Sequence, residues 1–182
     1  MRLLSPKGQV SRPITDRVKE SLFNVLLKYG LPEGCVVADL FCGVGSLGLE
    51  ALSRGASFVT FVEMDPKVVV VLEKNIAKAR YVKDSKVVTA DAFKVGAPVA
   101  PGRQEYEMVF VDPPYARTQD VGADSALDKL LGLVVPQLKR HGYVVVRTRK
   151  ATGLHDRYGD LEVIERRRWG TMNVTILQKV GP

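Results

Sequence analysis

The tetrapeptide Asp112-Pro113-Pro114-Tyr115 joins an acid, two prolines and an aromatic ring, directly after the apolar run Val109–Val111. An exocyclic amine of a nucleobase is a poor nucleophile because its lone pair is delocalised into the ring. A carboxylate and a backbone carbonyl that both accept its N–H groups can aim that lone pair at a methyl group. Asp112 and the Pro113 carbonyl offer such acceptors, and Tyr115 can stack on a flipped base. The alternative is a proline-rich turn with Tyr115 packed on the surface.

The segment Gly43–Gly48 reads Gly-Val-Gly-Ser-Leu-Gly, and it follows a strand-like run and opens a helix. Glycines let the backbone pass close to a ligand, and the start of a helix offers free N–H groups. Glu63, which stands 20 residues after Gly43, can accept hydrogen bonds from both hydroxyls of a ribose. The segment therefore predicts a nucleotide-type ligand. A tight strand-to-helix turn without a ligand is the alternative.

Two features favour S-adenosylmethionine over a dinucleotide as this ligand. Asp39 stands just before the turn, where its carboxylate would repel a pyrophosphate but can meet an ammonium group directly or through water. The second feature is the tetrapeptide at Asp112, which has no place in hydride transfer. An NAD-dependent oxidoreductase stays open as the less favoured class, and binding of S-adenosylhomocysteine or of NAD separates the two.

Strand-like and helix-like runs alternate from Val36 onward, which indicates an α/β domain. Near the start, Val18, Leu22 and Leu26 fall on one helical face behind Thr15, a predicted N-cap. Further helices are expected from the glycine turn to about residue 54, from 66 to about 80, and from 124 to 138 with Pro136 disturbing its end. About seven strands are predicted, at residues 35–40, 57–62, 86–89, 107–111, 143–148, 161–165 and 173–177, with the last two as a hairpin-like pair.

The composition, 46% hydrophobic and 26% charged over 182 residues, is that of an ordinary globular protein. No apolar run approaches the ~18 residues of a membrane span. Pro6 and Lys7 stand where a secretory signal would need its apolar stretch, so a cytoplasmic protein is expected. Two cysteines are too few for a disulfide framework or a zinc site, and no metal is expected. The net charge of +7 is uneven: residues 1–20 carry five basic and two acidic groups, and residues 139–168 carry nine and four. If these regions meet, they form a positive face that suits nucleic acid; a solvated basic surface is the alternative.

The order and spacing of the two motifs resemble those of class I S-adenosylmethionine-dependent methyltransferases that act on amines. Residues 12–24 (RPITDRVKESLFN) and 39–56 (DLFCGVGSLGLEALSRGA) narrow the resemblance to bacterial 16S rRNA guanine-N2 methyltransferases, and it extends over most of residues 11–178. It implies a Rossmann-like, doubly wound sheet of seven strands with a reversed last strand. Residues 1–30 would form a helical lead-in and residues 31–182 the methyltransferase domain.

The same resemblance implies a reaction. S-adenosylmethionine would donate a methyl group, leaving S-adenosylhomocysteine, to the N2 amine of a guanine in 16S rRNA. The RNA would be presented within the assembled or assembling small ribosomal subunit to a monomeric enzyme.

The resemblance also assigns most site residues by position. Those at the target base are Asp112, Pro113, Pro114 and Tyr115. Those at the cofactor are Asp39, Phe41, Gly43, Gly45, Ser46, Glu63 at the ribose, Met64, Asp91 and Ala92 around the adenine, and Asp112. Those that close over the cofactor or meet RNA are Arg12, Thr15, Asp16 and Arg17. Independently of the resemblance, Arg166, Arg167 and Arg168 are candidates for phosphate contacts, although a strand end on a solvated face explains them too.

Two other functions remain open at this point. A DNA adenine-N6 or cytosine-N4 methyltransferase would use the same tetrapeptide, but 182 residues leave little mass for reading base edges. A non-catalytic RNA-binding chaperone on the same fold would keep its full biological effect after Asp112→Ala.

Overall fold

A sheet of eight strands organises the computed structural model, which describes residues 3–5, 14–99 and 105–181. The strands lie in the order β3-β2-β1-β4-β5-β8-β7-β6. Strands β1 to β5 run parallel, and β8 is antiparallel to both β5 and β7. Their bounds are β1 Val36–Leu40, β2 Phe58–Glu63, β3 Ser85–Thr89, β4 Tyr106–Val111, β5 Leu138–Arg149, β6 Arg157–Tyr158, β7 Leu161–Trp169 and β8 Met172–Lys179.

Strands β1 and β4 form the centre of the sheet and are buried on both faces. The side chains from residue 37 to 40 and from residue 108 to 111 are at most 1% exposed. A strand covered on both sides needs apolar residues at successive positions, which explains the apolar runs at residues 36–38 and 108–111.

Helices cover both faces of the sheet. On one face α1 (Asp16–Leu26), α2 (Ser46–Ser53) and α3 (Pro66–Ala79) contribute to one apolar cluster. On the other face α4 (Ala92–Val95) and α5 (Ala126–Val134) contribute to a second cluster. Because the helix after β1 and the helix after β4 lie on opposite faces, a crevice opens between the carboxyl ends of these neighbouring strands. The predicted α/β, doubly wound architecture with a reversed strand is confirmed.

Local signals set the ends of the helices. Thr15 Oγ1 accepts a hydrogen bond from the Val18 N–H at 3.4 Å, so the predicted N-cap of α1 is confirmed. Helix α5 is shorter than the predicted 124–138. Ser125 caps its start through the Asp128 N–H, and Pro136 lies in the 3₁₀ turn Val135–Gln137 that follows it.

The C-terminal half departs from the prediction in strand number and length. The eighth strand is β6, whose two residues are too few to leave an alternation pattern in the sequence. Strand β5 begins at Leu138, before the predicted start at 143, and the predicted hairpin-like pair is β7 and β8. Within the described ranges no helix is long and apolar enough to span a membrane.

Candidate active site

A cleft of about 1080 Å³ opens at the carboxyl ends of β1, β2 and β4, where the strand order reverses. Parallel strands end at the same edge of a sheet, so residues far apart in sequence meet there. Eleven of the residues singled out from the sequence line this cleft: Asp39, Phe41, Gly43, Ser46, Glu63, Met64, Ala92, Asp112, Pro113, Pro114 and Tyr115.

The three glycines of the turn after β1 have different tasks. Gly43 lines the cleft with φ +54°, and a Cβ there would meet nothing within 4 Å. A Cβ at Gly45 would lie 2.6 Å from Leu72 Cδ1, and one at Gly48 would overlap the ring of Phe61. Gly45, expected at the cofactor, is not among the residues that line the cleft, and its missing side chain lets the turn pack against α3.

Glu63, at the end of β2, holds the glycine turn from the neighbouring strand. Its Oε2 accepts the Gly43 N–H at 3.0 Å, and its Oε1 accepts the Asp65 N–H at 2.9 Å. Each carboxylate oxygen has a second lone pair, so both can still accept a hydroxyl group. The carboxylate is thus fixed in place with acceptor capacity left over.

Asp39 is buried at the end of β1, with 1% of its surface exposed. Its Oδ2 accepts the Gly48 N–H at 2.8 Å, which ties β1 to the first turns of α2. Burial raises the pKa of Asp39 from 3.8 to about 7; the Gly48 hydrogen bond opposes the rise, and the nearby charges of Asp112 and Glu63 add to it. The carboxyl is therefore poised to gain from a positive charge placed in the cleft.

Asp112 follows β4 and is bound by an arginine that the sequence analysis did not single out. Arg147 Nε donates to Asp112 Oδ1 at 2.6 Å. Burial raises the pKa of Asp112 above its ordinary value, and the charge and hydrogen bond of Arg147 oppose that rise. Within the described part of the chain, Arg147 Nη1 is buried without a partner, which costs about 1–3 kcal/mol. The one sequence signal for Arg147 is a charge at the end of the apolar run Val144–Val146.

Tyr115 lines the cleft, and its ring contacts an arginine that the sequence analysis did not single out. The guanidinium carbon of Arg149 is 5.1 Å from the centre of the Tyr115 ring, within cation–π range. Arg149 and its neighbour Lys150 are exposed and line the cleft. They form a positive rim beside the tetrapeptide.

The residues expected around an adenine divide into two groups. Met64, 61% exposed, and Ala92 both line the cleft. Asp91 is not among the lining residues. Its Oδ1 accepts the Phe93 N–H at 3.0 Å and caps α4, so its contact in the structure is with its own helix.

Of the residues expected to contact RNA, those that the structure describes do not line the cleft. Arg12 lies outside the described residues, and Arg17 is exposed on α1. On β7, Arg166 pairs with Asp156 at 2.7 Å and Arg167 with Glu165 at 3.1 Å. Arg168 donates to Asn173 at 3.4 Å. Thr15 caps α1, and among the described residues of the lead-in its neighbour Ile14 lines the cleft.

Comparison with known proteins identifies the family. The family described as Conserved hypothetical protein 95 matches residues 1–178. The chain belongs to this family. YlbH of Bacillus subtilis, provisionally named an rRNA methyltransferase, is 32% identical over 176 residues, which is 96% of this chain and 91% of YlbH. Ribosomal RNA small subunit methyltransferase D of Escherichia coli K12 is 40% identical over 116 residues, which is 64% of this chain and 56% of that protein.

A solved structure agrees with this assignment. The Escherichia coli protein yhhF, provisionally named a methyltransferase, superposes with a TM-score of 0.77 at 30% identity, covering 97% of this chain and 91% of that one. These matches confirm the predicted family and the class I methyltransferase fold. The chain is an S-adenosylmethionine-dependent methyltransferase, and not the NAD-dependent oxidoreductase that the glycine turn alone would also allow.

Proposed function

We propose that the chain transfers a methyl group from S-adenosylmethionine to the exocyclic N2 amine of a guanine in 16S rRNA. The proposal depends on one observation: three carboxylates, from Asp39, Glu63 and Asp112, converge on one cleft. The names of the Bacillus subtilis and Escherichia coli relatives support rRNA rather than DNA as the substrate. An assembled or assembling small ribosomal subunit as the physical substrate, a monomeric enzyme and a cytoplasmic location belong to the same proposal.

The groups that line the cleft fit S-adenosylmethionine. Glu63 keeps acceptor capacity for a ribose diol, Asp39 offers an acid to the ammonium of the methionine part, and Gly43 leaves open space. Further residues proposed to hold this ligand are Phe41, Ser46, Met64 and Ala92, all of which line the cleft.

The chemistry at the target amine belongs to Asp112 and Pro113. Bound S-adenosylmethionine supplies an electrophilic methyl group. Asp112 Oδ2 and the Pro113 carbonyl receive no hydrogen bond from any described residue, so both can accept an N–H of the amine. The amine nitrogen then points its lone pair away from these acceptors. Asp112 also stabilises the positive charge that develops on the nitrogen, and the departing proton goes to its Oδ2.

The outer edge of the cleft would position the base and the RNA strand. Tyr115 offers a ring face for stacking, and Pro114 precedes it as a rigid link. Arg149 and Lys150, which line the cleft and are exposed, would contact the phosphates of the flipped nucleotide. Arg12, Thr15, Arg17 and the three arginines of β7 are proposed to extend this contact along the RNA.

The decisive experiment identifies the methylated nucleoside. The protein is incubated with isotope-labelled S-adenosylmethionine and small ribosomal subunits that lack the modification, and the digested RNA is analysed by mass spectrometry. N2-methylguanosine is the expected product, with Asp112→Ala as the background control. A parallel reaction contains DNA in place of the subunits. N6-methyladenosine in the RNA, or label in the DNA, would instead support the alternative of a DNA adenine-N6 or cytosine-N4 methyltransferase.

We expect the affinity for S-adenosylhomocysteine to rise with pH up to about pH 7. Below that value Asp39 is largely protonated in the free protein, because its pKa is about 7. An ammonium group favours the ionised carboxylate, so binding expels a proton and Kd falls by as much as about tenfold per pH unit. Isothermal titration calorimetry from pH 5 to 7 measures this slope, and the ligand's own amino group stays charged across that range.

Two controls isolate Asp39 in that titration. Asp39→Asn should remove the slope, since an amide has no proton to lose. 5′-Methylthioadenosine lacks the amino-acid part and should bind the unaltered protein without the slope. Equal slopes in the Asp39→Asn variant and in the unaltered protein would contradict the role given to Asp39.

Replacing Tyr115 with alanine should lower kcat/KM about 10- to 100-fold, because stacking on an aromatic ring stabilises a base by about 1–3 kcal/mol. Tyr115→Phe should stay within about threefold of the unaltered enzyme, since phenylalanine keeps both the ring and the contact with Arg149. Steady-state kinetics on small subunits gives both values. Equal losses in the two variants would assign the effect to the hydroxyl group and contradict stacking.

A further inference from the structure

Arg147 lies near the end of β5, next to Asp112, which directly follows the neighbouring strand β4. The register pairs Val146 with Val111, so the following residues of the two strands are neighbours. The Arg147 side chain is 12% exposed and that of Asp112 is 19% exposed. Arg147 donates a hydrogen bond from Nε to Asp112, whereas its Nη1 is buried without a partner among the described residues. An ion pair that is mostly buried and leaves one donor unpaired is a poor way to stabilise a fold, so its presence beside the cleft indicates a task there.

The geometry points to Arg147 as a positioning residue for methyl transfer: by binding Oδ1 of Asp112, it presents Oδ2 as the carboxylate oxygen that faces the target amine. This inference rests on the proposed function, in which Asp112 accepts an N–H of the base. With Oδ1 engaged, the carboxylate cannot rotate freely. Its open oxygen and the Pro113 carbonyl then offer two acceptors to the two N–H groups of one amine.

Arg147 has a second effect on Asp112 through its charge. Burial raises the pKa of Asp112, and Arg147 is the group that opposes the rise. Without this cation more of the carboxyl would carry a proton, and a protonated oxygen becomes a donor and a much weaker acceptor of an N–H than a carboxylate oxygen. The other ionisable side chains that line the same cleft are the acids Asp39, Glu63 and Asp65, the thiol of Cys42, and Tyr115, Arg149 and Lys150.

The first test measures Asp112 directly and needs no RNA substrate. The side-chain carboxyl carbons of aspartate are labelled with ¹³C, the Asp112 resonance is assigned with Asp112→Asn, and its titration is followed by NMR. In Arg147→Met the pKa of Asp112 should rise by roughly 1–3 units, since that is the usual effect of losing an adjacent opposite charge. Arg147→Lys should keep a positive charge beside Asp112, so the pKa of Asp112 should stay close to its value in the unaltered protein. An unmoved titration in folded Arg147→Met would overturn the inference.

The second test measures methyl transfer to small subunits against pH. Arg147→Met should lower kcat at neutral pH at least about tenfold and move the acid limb of the profile to higher pH. The Kd for S-adenosylhomocysteine should stay within about threefold. Arg147→Lys should recover the acid limb but only part of kcat, because an ammonium lacks the fixed direction of Nε.

A matched control and a fallback complete the design. Arg157→Met removes an arginine–carboxylate pair of the surface, with Glu162 at 2.9 Å, and should leave the profile unchanged. If Arg147→Met does not fold, Arg147→Lys decides alone, and full kcat in that variant would overturn the inference. If the unaltered enzyme leaves rRNA unmethylated, the proposed function fails, while the NMR titration still tests the hold of Arg147 on Asp112.

Discussion

Replacing Asp112 with alanine is expected to lower the rate of methyl transfer roughly 10²- to 10⁴-fold, the range usual for loss of a charged group that acts on the reacting atoms. The affinity for S-adenosylhomocysteine should change by less than about threefold, because Asp39 and Glu63 keep their hydrogen bonds to the glycine turn. Single-turnover assays on small subunits and calorimetry with S-adenosylhomocysteine measure the two quantities. Equal losses in rate and in affinity would contradict the assignment of Asp112 to the target amine and of Asp39 and Glu63 to S-adenosylmethionine.

Asparagine at position 112 should be nearly as harmful as alanine in this enzyme. The buried Arg147 Nε needs an acceptor, so the amide oxygen would turn toward it. The amide NH₂ would then face the target amine, where one donor meets another. A double variant, Arg147→Met with Asp112→Asn, frees the amide to turn its oxygen to the cleft and should transfer methyl groups faster than Asp112→Asn alone. Full activity of Asp112→Asn would show that Oδ2 is not an essential acceptor.

The sequence was sufficient to predict the centre of the fold and the acidic residues of the cleft. Strands β1 and β4 each contain an apolar run, and each run leads directly to an acid. Because parallel strands end at one edge, Asp39, Glu63 and Asp112 could be expected to meet before any register was known. The same local reasoning predicted the Thr15 cap, since a cap depends on residues close in the chain.

The contacts that the sequence analysis did not predict depend on the register between strands and on side-chain packing. Arg147 is a neighbour of Asp112 only because Val146 pairs with Val111, and no local pattern encodes that register. The contact of Arg149 with the Tyr115 ring depends on the same pair of strands. Gly45 matches a ligand-binding pattern, yet its missing side chain makes room for Leu72. A motif shows that a glycine is needed without showing which neighbour requires it.

The second large effect is expected at Gly48, the last glycine of the turn. A Cβ at this position would overlap Phe61 Cε1 and lie 2.8 Å from Phe61 Cζ and 2.9 Å from Val59 Cγ1. Both neighbours belong to β2, with Val59 and Phe61 0% exposed, so they have no room to move. Gly48→Ala should therefore lower the free energy of unfolding by about 3 kcal/mol. Urea denaturation measures it, and a weaker affinity for S-adenosylhomocysteine should accompany it because the Gly48 N–H holds Asp39.

Two comparisons separate this overlap from a general effect of adding a methyl group. Gly132 lies exposed in α5, where a Cβ would meet nothing within 4 Å. Gly132→Ala should therefore raise the free energy of unfolding by about 1 kcal/mol, the difference in helix propensity. Replacing the obstructing ring by the smaller side chain in Phe61→Leu should make Gly48→Ala less harmful. The double variant should then lose less free energy of unfolding than the sum of the losses in the two single variants. If the losses simply add, the ring of Phe61 is not what keeps position 48 a glycine.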